Sequence, residues 1–462
     1  IVMYTAKLVK LKEVFTIAGK DRIVAATMNE LGDTKVIISK DYPLTDTYIY
    51  FPPDVRLSTD FCEANDLIIR KDSSGKKIGG GYFDDNCRVR AQKFGGVRSE
   101  GIVVPLNFLE YLRPQHERVL ENILKERPGY TFDRLGSTKI CEKYTVRKAN
   151  HKPSKFDVLM DRIDNSRFYR VVPYIRKVRY ELLAARRNIK EFMESFDPYS
   201  YNKFFPRHDD TDALKHHLSQ LPINTEGTVT EKVHGTSAQT GKVLDPSVKG
   251  TLLRYLFGKS VYRFQVSTRN VVLKTGQVCD YYKDAFRWEC SKKFENILDG
   301  EQFSYEIVGF TNNGRPIMEP QPLSKIKRDT NIKDYSDPMI YTYGCEEGQC
   351  DIYVYKYSKM VDGKMQIQTW DETVRRCKEL GLKTVPELDR FIYDGNIDDL
   401  LKRLDKFMAN DNLLPSTIDK RHITEGVVLR FNNEPWNVFK HKSWMFGVLE
   451  GFNKDMGIED VN

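Results

Sequence analysis

The stretch Glu231-Lys232-Val233-His234-Gly235-Thr236-Ser237 sets a lysine between apolar runs, with a glycine three residues later. A lysine amine is a nucleophile only when unprotonated, and burial or a nearby cation lowers its pKa and frees it. Gly235 has no Cβ and lets backbone come close to a ligand phosphate. Lys440 and Lys442 occupy alternate positions of a strand-like run, so both can point into one pocket and neutralise charge growing on phosphate. Glu306 and Glu425 each lie in an otherwise apolar strand, where a carboxylate is costly unless partnered. Each feature has a plainer reading beside it: a salt-bridged strand lysine, a solvated edge strand, and buried ion pairs.

The elements that must position these residues fall into three stretches. Residues 1–112 read as β, with short alternating runs at 4–11, 23–26, 35–38, 47–51 and 103–106, separated by turn residues. Several short strands in so few residues predict a small barrel or sandwich. Within them Arg88 and Arg90 alternate with Val89 and Ala91, and Lys93 and Arg98 follow. On a strand the two arginines project from one face, a basic platform for nucleic acid or an ordinary solvated face. Helical spacing is predicted over 107–126, 178–193 and 210–218.

From about residue 223 longer β runs mix with helices. The run 227–233 delivers Lys232 to its end, with His234-Gly235 as the turn. Further strands are expected at 262–266, 303–309, 424–430 and 436–442, and helices at 370–382 and 398–408. Two aromatic runs, 339–343 and 351–357, read as a hairpin.

With 462 residues, two or three domains are expected. The 40 % hydrophobic and 30 % charged content is that of a globular protein, and no apolar run approaches the roughly 18 residues of a membrane span. No secretory signal is visible, and the eight cysteines are scattered without a C-x-x-C pair, which favours free thiols in a reducing, cytoplasmic compartment over a zinc site. Net charge is +8, a value that suits a polyanionic partner. Between Lys139 and Arg207 there are 17 lysines and arginines against 8 acids, enough to account for the whole excess, with tyrosines and phenylalanines interleaved. Such a segment either grips phosphates and stacks on bases or is a solvated linker helix.

In chain order come a strand-end lysine, S-T-R-N (267–270), F-S-Y-E-I-V-G (303–309), E-G-V-V-L-R (425–430) and V-F-K-H-K (438–442). This order resembles the covalent nucleotidyltransferase superfamily of polynucleotide ligases and capping enzymes, and most closely the ATP-dependent RNA ligases with an N-terminal OB-fold. The resemblance covers residues 224–450 by ordered motifs and 1–112 more loosely. About twenty residues follow Lys442, too few for the C-terminal OB domain of DNA ligases.

The resemblance implies an α+β fold with three parts. They are an OB-like nucleic-acid-binding β-barrel at 1–145, a basic helical connector at 146–205, and an adenylyltransferase domain of antiparallel sheets flanked by helices at 206–462. It implies that Lys232 attacks the α-phosphate of ATP and becomes lysyl-AMP, with Lys440 and Lys442 against the phosphates and Glu425 near the lysine and a divalent metal, Mg²⁺ or Mn²⁺. Glu231, Val233, His234, Gly235, Arg269, Asn270 and Glu306 would contact the nucleotide, Glu306 at the sugar. Tyr355 is the expected stacking partner of adenine, or else a core residue. Most ligases have Asp where this chain has His234, and a histidine does not replace a carboxylate as a metal ligand of the same charge, so His234 is left out of the metal set.

The implied function is an RNA ligase, an RNA-repair enzyme joining 3′-OH to 5′-phosphate at nicks in duplex RNA or an RNA/DNA hybrid. It would act as a monomer with no membrane partner, and Arg88, Arg90, Lys93 and Arg98 would contact nucleic acid. The alternatives are an mRNA guanylyltransferase and a non-catalytic RNA-binding protein on a ligase scaffold.

Overall fold

The computed structural model describes residues 4–17, 19–32, 34–53, 55–71, 77–144, 181–182, 185–186, 188–190, 192–208, 210–278, 282–326, 331–431 and 437–455. The chain forms two compact units: Ile1–Ala149 with Ser324–Arg328 and Gly447–Asn462, and Asn150–Leu323 with Asp329–Phe446.

In the first unit, strands β1 (Ala6–Thr16), β2 (Ile23–Met28), β3 (Val36–Ser39), β4 (Thr47–Phe51) and β5 (Ile102–Pro105) form one antiparallel sheet in the order β5-β4-β1-β2-β3. The period-two alternation of β1 feeds two cores. Ala6 and Leu8 pack with Ile49 and Phe51, while Val9 and Leu11 pack with Val24, Val36 and Tyr48. The sheet nearly closes on itself. Glu100 N–H donates to Lys35 O at 2.9 Å and Ile37 N–H to Ser99 Oγ at 2.9 Å, bringing the approach to β5 against the approach to β3. This is the barrel-like sheet expected for the N-terminal region.

A separate hairpin, Ala91–Phe94 with Val97–Ser99, turns at Gly95-Gly96. Both glycines have left-handed φ, +55° and +86°, as a type I′ hairpin turn requires. Asn453–Asp455 adds a parallel strand beside Ala91–Lys93. The helical prediction over 107–126 resolves into a 3₁₀ segment, Leu106–Leu112, and an α-helix, Arg113–Leu124.

The second unit has two sheets. One runs in the order Asp212–Ala213, β13 (Val438–Lys442), β12 (Gly426–Phe431), β6 (Thr225–Glu231), β11 (Glu387–Tyr393). The other runs Val272–Leu273, β8 (Tyr262–Thr268), β7 (Thr236–Leu244), β9 (Glu301–Gly309), β10 (Cys350–Val361), Lys364–Ile367. Residues 232–235 link β6 to β7, so the lysine sits where the chain passes from one sheet to the other. Leu400 and Leu404 of the helix Ile397–Asp405 pack on the first sheet with Val229, Val427 and Leu429. Phe286 and Cys290 of the helix Phe286–Ser291, and Cys377 of the helix Trp370–Glu379, pack on the second with Phe303 and Tyr305. Thr369 caps the last of these helices by accepting from Glu372 N–H, the opening half of a Thr-x-x-Glu capping box.

Two predicted elements differ. The helix expected at 210–218 is a two-residue parallel strand, Asp212↔Phe439 and Ala213↔Lys440, followed by 3₁₀ turns, because the exposed edge of β13 takes those residues. Residues 339–343 do not pair with 351–357: one edge of that stretch is taken by β9, and at the other Val354 exchanges backbone hydrogen bonds with Lys383 and Val385. Met339 instead exchanges backbone hydrogen bonds with Gln321. Of the expected helix at 178–193, residues 178–180, 183, 184, 187 and 191 lie outside the described residues, and those described from 181 onward are helical. No helix among the described residues is long and apolar enough to cross a membrane.

Candidate active site

Strand β6 pairs with β12 from Gly227↔Phe431 to Glu231↔Val427, and β12 pairs with β13 from Arg430↔Val438 to Gly426↔Lys442. This register puts Lys232, Glu425 and Lys442 at one end of three adjacent strands. Lys232 N–H donates to Gly426 O at 2.9 Å, so the lysine backbone is tied to the strand that follows Glu425. Gly426 has φ +141°, and a Cβ there would lie 2.2 Å from His441 O, so no larger residue fits this pairing.

Glu425 is 2 % exposed and is the electrostatic centre. Its Oε1 lies 2.8 Å from Lys232 Nζ and 2.9 Å from Lys442 Nζ, and its Oε2 lies 3.3 Å from His234 Nδ1. Burial alone raises a carboxyl pKa, but the ammoniums of Lys232 and Lys442 outweigh it and hold Glu425 well below the usual carboxylate range. The same pairing corrects one sequence-based expectation. Burial pushes the Lys232 pKa down, but Glu425 and then Glu306 outweigh burial and raise it above the ordinary lysine value. The amine is held as an ammonium by carboxylates rather than neutralised by surrounding cations.

A cavity of about 380 Å³ opens beside it, lined among others by Glu231, Lys232, Val233, Ser237, Arg269, Glu306, Tyr355, Val428, Arg430 and Lys440. Ser237 Oγ donates to Glu306 Oε1 at 2.7 Å and lies 3.1 Å from Tyr355 Oη, while Glu306 Oε2 is buried without a partner among the described residues. Burial raises the Glu306 pKa, and Lys232 opposes that shift. Lys440 is pushed down to about 8 by burial and then by the ammoniums of Lys442 and Lys232. Arg269 is half exposed and forms an ion pair with Asp210.

The residues flanking Lys232 are braced by loops. Glu231 Oε2 accepts from Thr417 N–H at 3.0 Å and from the Thr417 hydroxyl. His234 N–H donates to Tyr343 Oη at 2.6 Å, and the His234 ring packs edge-on against Tyr341 and Phe446, with centroids 4.6 and 4.7 Å away. Asp419 pins these loops together by accepting from Thr342 Oγ1 at 2.6 Å and Gly344 N–H at 2.8 Å.

Most of the residues expected at the site thus come to one place, with two differences. Asn270 sits in an exposed turn, where its N–H donates to Thr268 Oγ1, and it does not line the cavity. At Gly235 a Cβ would lie 2.5 Å from Ile307 O, so close packing against β9 demands glycine whatever the ligand does.

Several lining residues escaped the sequence reading. Arg430 is only 8 % exposed, and among the described residues no carboxylate pairs with it. Its Nε donates to Thr230 Oγ1 at 3.3 Å, and its guanidinium lies 4.7 Å from the Trp370 ring centre. Burial lowers its pKa to about 10. Its position two after Val428 on one strand was the available signal. His208, 5.2 Å from the Tyr355 ring and 3.3 Å from Lys356 Nζ, is pushed down to about 3, chiefly by burial.

The hairpin of the first unit places Lys93 directly opposite Arg98. Arg88 is half-buried between the rings of Tyr144 and Phe452, at 4.5 and 5.3 Å, and Arg90 is half-buried beyond the inward-facing Val89.

Residues 225–442 match the family model described as RNA ligase. The chain is also similar in fold to solved structures of the Naegleria gruberi RNA ligase. A lysine-to-alanine mutant solved with ATP and Mn is 14 % identical, with TM-score 0.52, covering 96 % of this chain and 98 % of that one. A lysine-to-methionine mutant with AMP and Mn is 15 % identical, with the same TM-score and coverage. No curated protein matches the sequence.

Proposed function

We propose that the chain is an ATP-dependent RNA ligase that seals a 3′-OH to a 5′-phosphate, at nicks in duplex RNA or an RNA/DNA hybrid. The observation that carries this reading is the triad of Lys232, Glu425 and Lys442 on three adjacent strands beside a cavity large enough for a nucleotide.

In the first step the Lys232 amine, having lost its proton, attacks the α-phosphate. The N–P bond forms and the bond to the β-phosphate oxygen breaks, releasing pyrophosphate and leaving lysyl-AMP. Lys440 and Lys442 meet the negative charge that develops. AMP then passes to the RNA 5′-phosphate, and the 3′-OH displaces it. Tyr355 and Val428 offer flat and apolar faces for the base, Glu231 an acceptor and Arg430 a donor, while Glu306 with Ser237 suits the ribose hydroxyls.

Among the described residues no group of three or more His, Cys, Asp or Glu could hold a metal alone. One buried carboxylate facing a phosphate site nonetheless suits Mg²⁺ or Mn²⁺, which complete their shells with substrate oxygens and water. Glu425 would hold such an ion, whose charge would oppose that of the phosphates. Engaged in that way, Glu425 would no longer favour the ammonium form of Lys232.

The barrel at 1–145, with Arg88, Arg90, Lys93 and Arg98, and the basic connector at 146–205 would grip the RNA, with 206–462 as the adenylyltransferase domain. Lys93 and Arg98 lie directly opposite each other, and two cations side by side suit a polyanion. The chain would work as a monomer in a reducing cytoplasm.

The test is incubation with labelled ATP and Mg²⁺, followed by intact-mass detection of AMP on the protein. Label on Lys232→Ala removes the assignment. Label from GTP instead of ATP decides for a guanylyltransferase, and RNA binding without any nucleotide uptake decides for a binding protein.

A further inference from the structure

Glu231 has two unlike oxygens. The residue is 1 % exposed and lines the cavity. Oε2 is saturated by a single residue, Thr417, through its backbone N–H at 3.0 Å and its hydroxyl. Oε1 is buried and has no partner among the described residues. A buried carboxylate oxygen without a donor is costly, and on a cavity-lining residue it can be satisfied by an N–H of a ligand. Two donors from one residue clamp the carboxylate and so fix the position from which Oε1 accepts. In an adenine nucleotide the hydrogen-bond donor of the base is the 6-amino group.

We propose that Thr417 is the positioning residue that sets base selectivity, by fixing Glu231 so that Oε1 accepts from the adenine amine. The inference rests on reading the cavity as the nucleotide site. Thr417 is itself exposed, on a loop whose place is set elsewhere: Ser416 N–H donates to His422 O at 3.0 Å, and Asp419 is tied to Thr342 and Gly344. Its hydroxyl can therefore be removed without opening the core. It carries no signal in the linear sequence, because its partner lies 186 residues away.

The experiment compares equilibrium binding of ATP with that of purine riboside 5′-triphosphate, which lacks only the 6-amino group. It is done on Lys232→Ala protein, where no covalent adduct forms and the ratio of Kd values reads base recognition alone. The parent is expected to prefer ATP by roughly tenfold, Thr417→Val to reduce the preference to within about twofold, and Thr417→Ser to restore it. General damage to the fold would weaken both nucleotides alike and leave the ratio unchanged. A preference that survives Thr417→Val, or is absent from the parent, overturns the proposal. Intact mass on the unsubstituted chain separates the two readings: a preference for ATP without an adduct keeps Thr417 in its role and removes the nucleotidyltransferase.

Discussion

Lys232 Nζ lies 2.8 Å from Glu425 Oε1, and this ion pair, shared with Lys442 at 2.9 Å, fixes the amine as an ammonium. Glu425→Gln removes a counter-ion shared by both lysines. Lysyl-AMP formation is expected to fall by at least about a hundredfold. The fold is expected to lose about 2 kcal/mol, less than for a fully buried pair because Lys442 is 37 % exposed. Single-turnover adenylylation and urea unfolding check the two effects separately, and wild-type rates in Glu425→Gln would exclude the carboxylate from the reaction.

Lys440 supplies a pH dependence of two opposite signs. Its pKa, near 8, lies below the ordinary lysine value of 10.5. Triphosphate affinity needs the charged form, so it falls as pH rises through about 8. Folding responds the other way. Between pH 8 and the unfolded lysine value the unfolded chain binds more protons, so stability rises with pH across that window. Calorimetric titration with ATP from pH 7 to 9 should show the weakening of affinity, and Lys440→Arg should flatten it.

Arg430 is a buried cation whose close partners are a threonine hydroxyl and an indole face. Arg430→Met keeps volume and removes an uncompensated charge. Stability should therefore be unchanged or rise by up to about 1 kcal/mol. Nucleotide affinity should fall roughly tenfold. Reduced stability with affinity intact would make Arg430 a structural residue.

Asp419 is held below the usual aspartate range: burial raises its pKa, but hydrogen bonds from Arg421, Thr342 and the backbone outweigh that. With a depressed folded pKa, its contribution is complete above the unfolded value near 4 and is lost as pH falls below it. Asp419→Asn should cost about 2 kcal/mol at pH 7 and less at pH 3, where the loss has begun but is completed only as pH falls through the folded value. Urea unfolding at both values measures the difference, and an equal cost at both would remove the carboxylate from the account.

Lys93→Glu and Arg98→Glu should each weaken RNA binding and reduce the salt slope of log affinity by about one for each phosphate that is no longer neutralised. Lysyl-AMP formation should not change. Salt titrations of RNA binding decide, and an unchanged slope would make the hairpin an ordinary surface element.

Much of this was legible in the residues. The alternation of the first 112 positions gave all five barrel strands, because apolar residues at period two have one way to be buried. Lys232, Glu425, Lys440 and Lys442 stood out because charges are costly in apolar strands. The charge state of Lys232 was misread. Its cations were counted along the chain, while the carboxylate that decides the matter arrives from about two hundred residues away. Thr417, Tyr343 and Asp419 left no trace, since loop residues that act through tertiary hydrogen bonds have no periodicity. The pairing expected for 339–343 failed because alternation reports a strand's faces and says nothing of which edges are already taken.

The distance in chain between β6 and the β12–β13 pair bears on synthesis. Lys232 acquires its backbone acceptor, Gly426, and Glu425 its second ammonium, Lys442, only after nearly all of the second unit has left the ribosome. A nascent or prematurely terminated polypeptide ending before β12 carries Lys232 without the Glu425 carboxylate or its strand neighbour. On the proposed function, competence to take up nucleotide is thereby postponed until translation has passed Lys442.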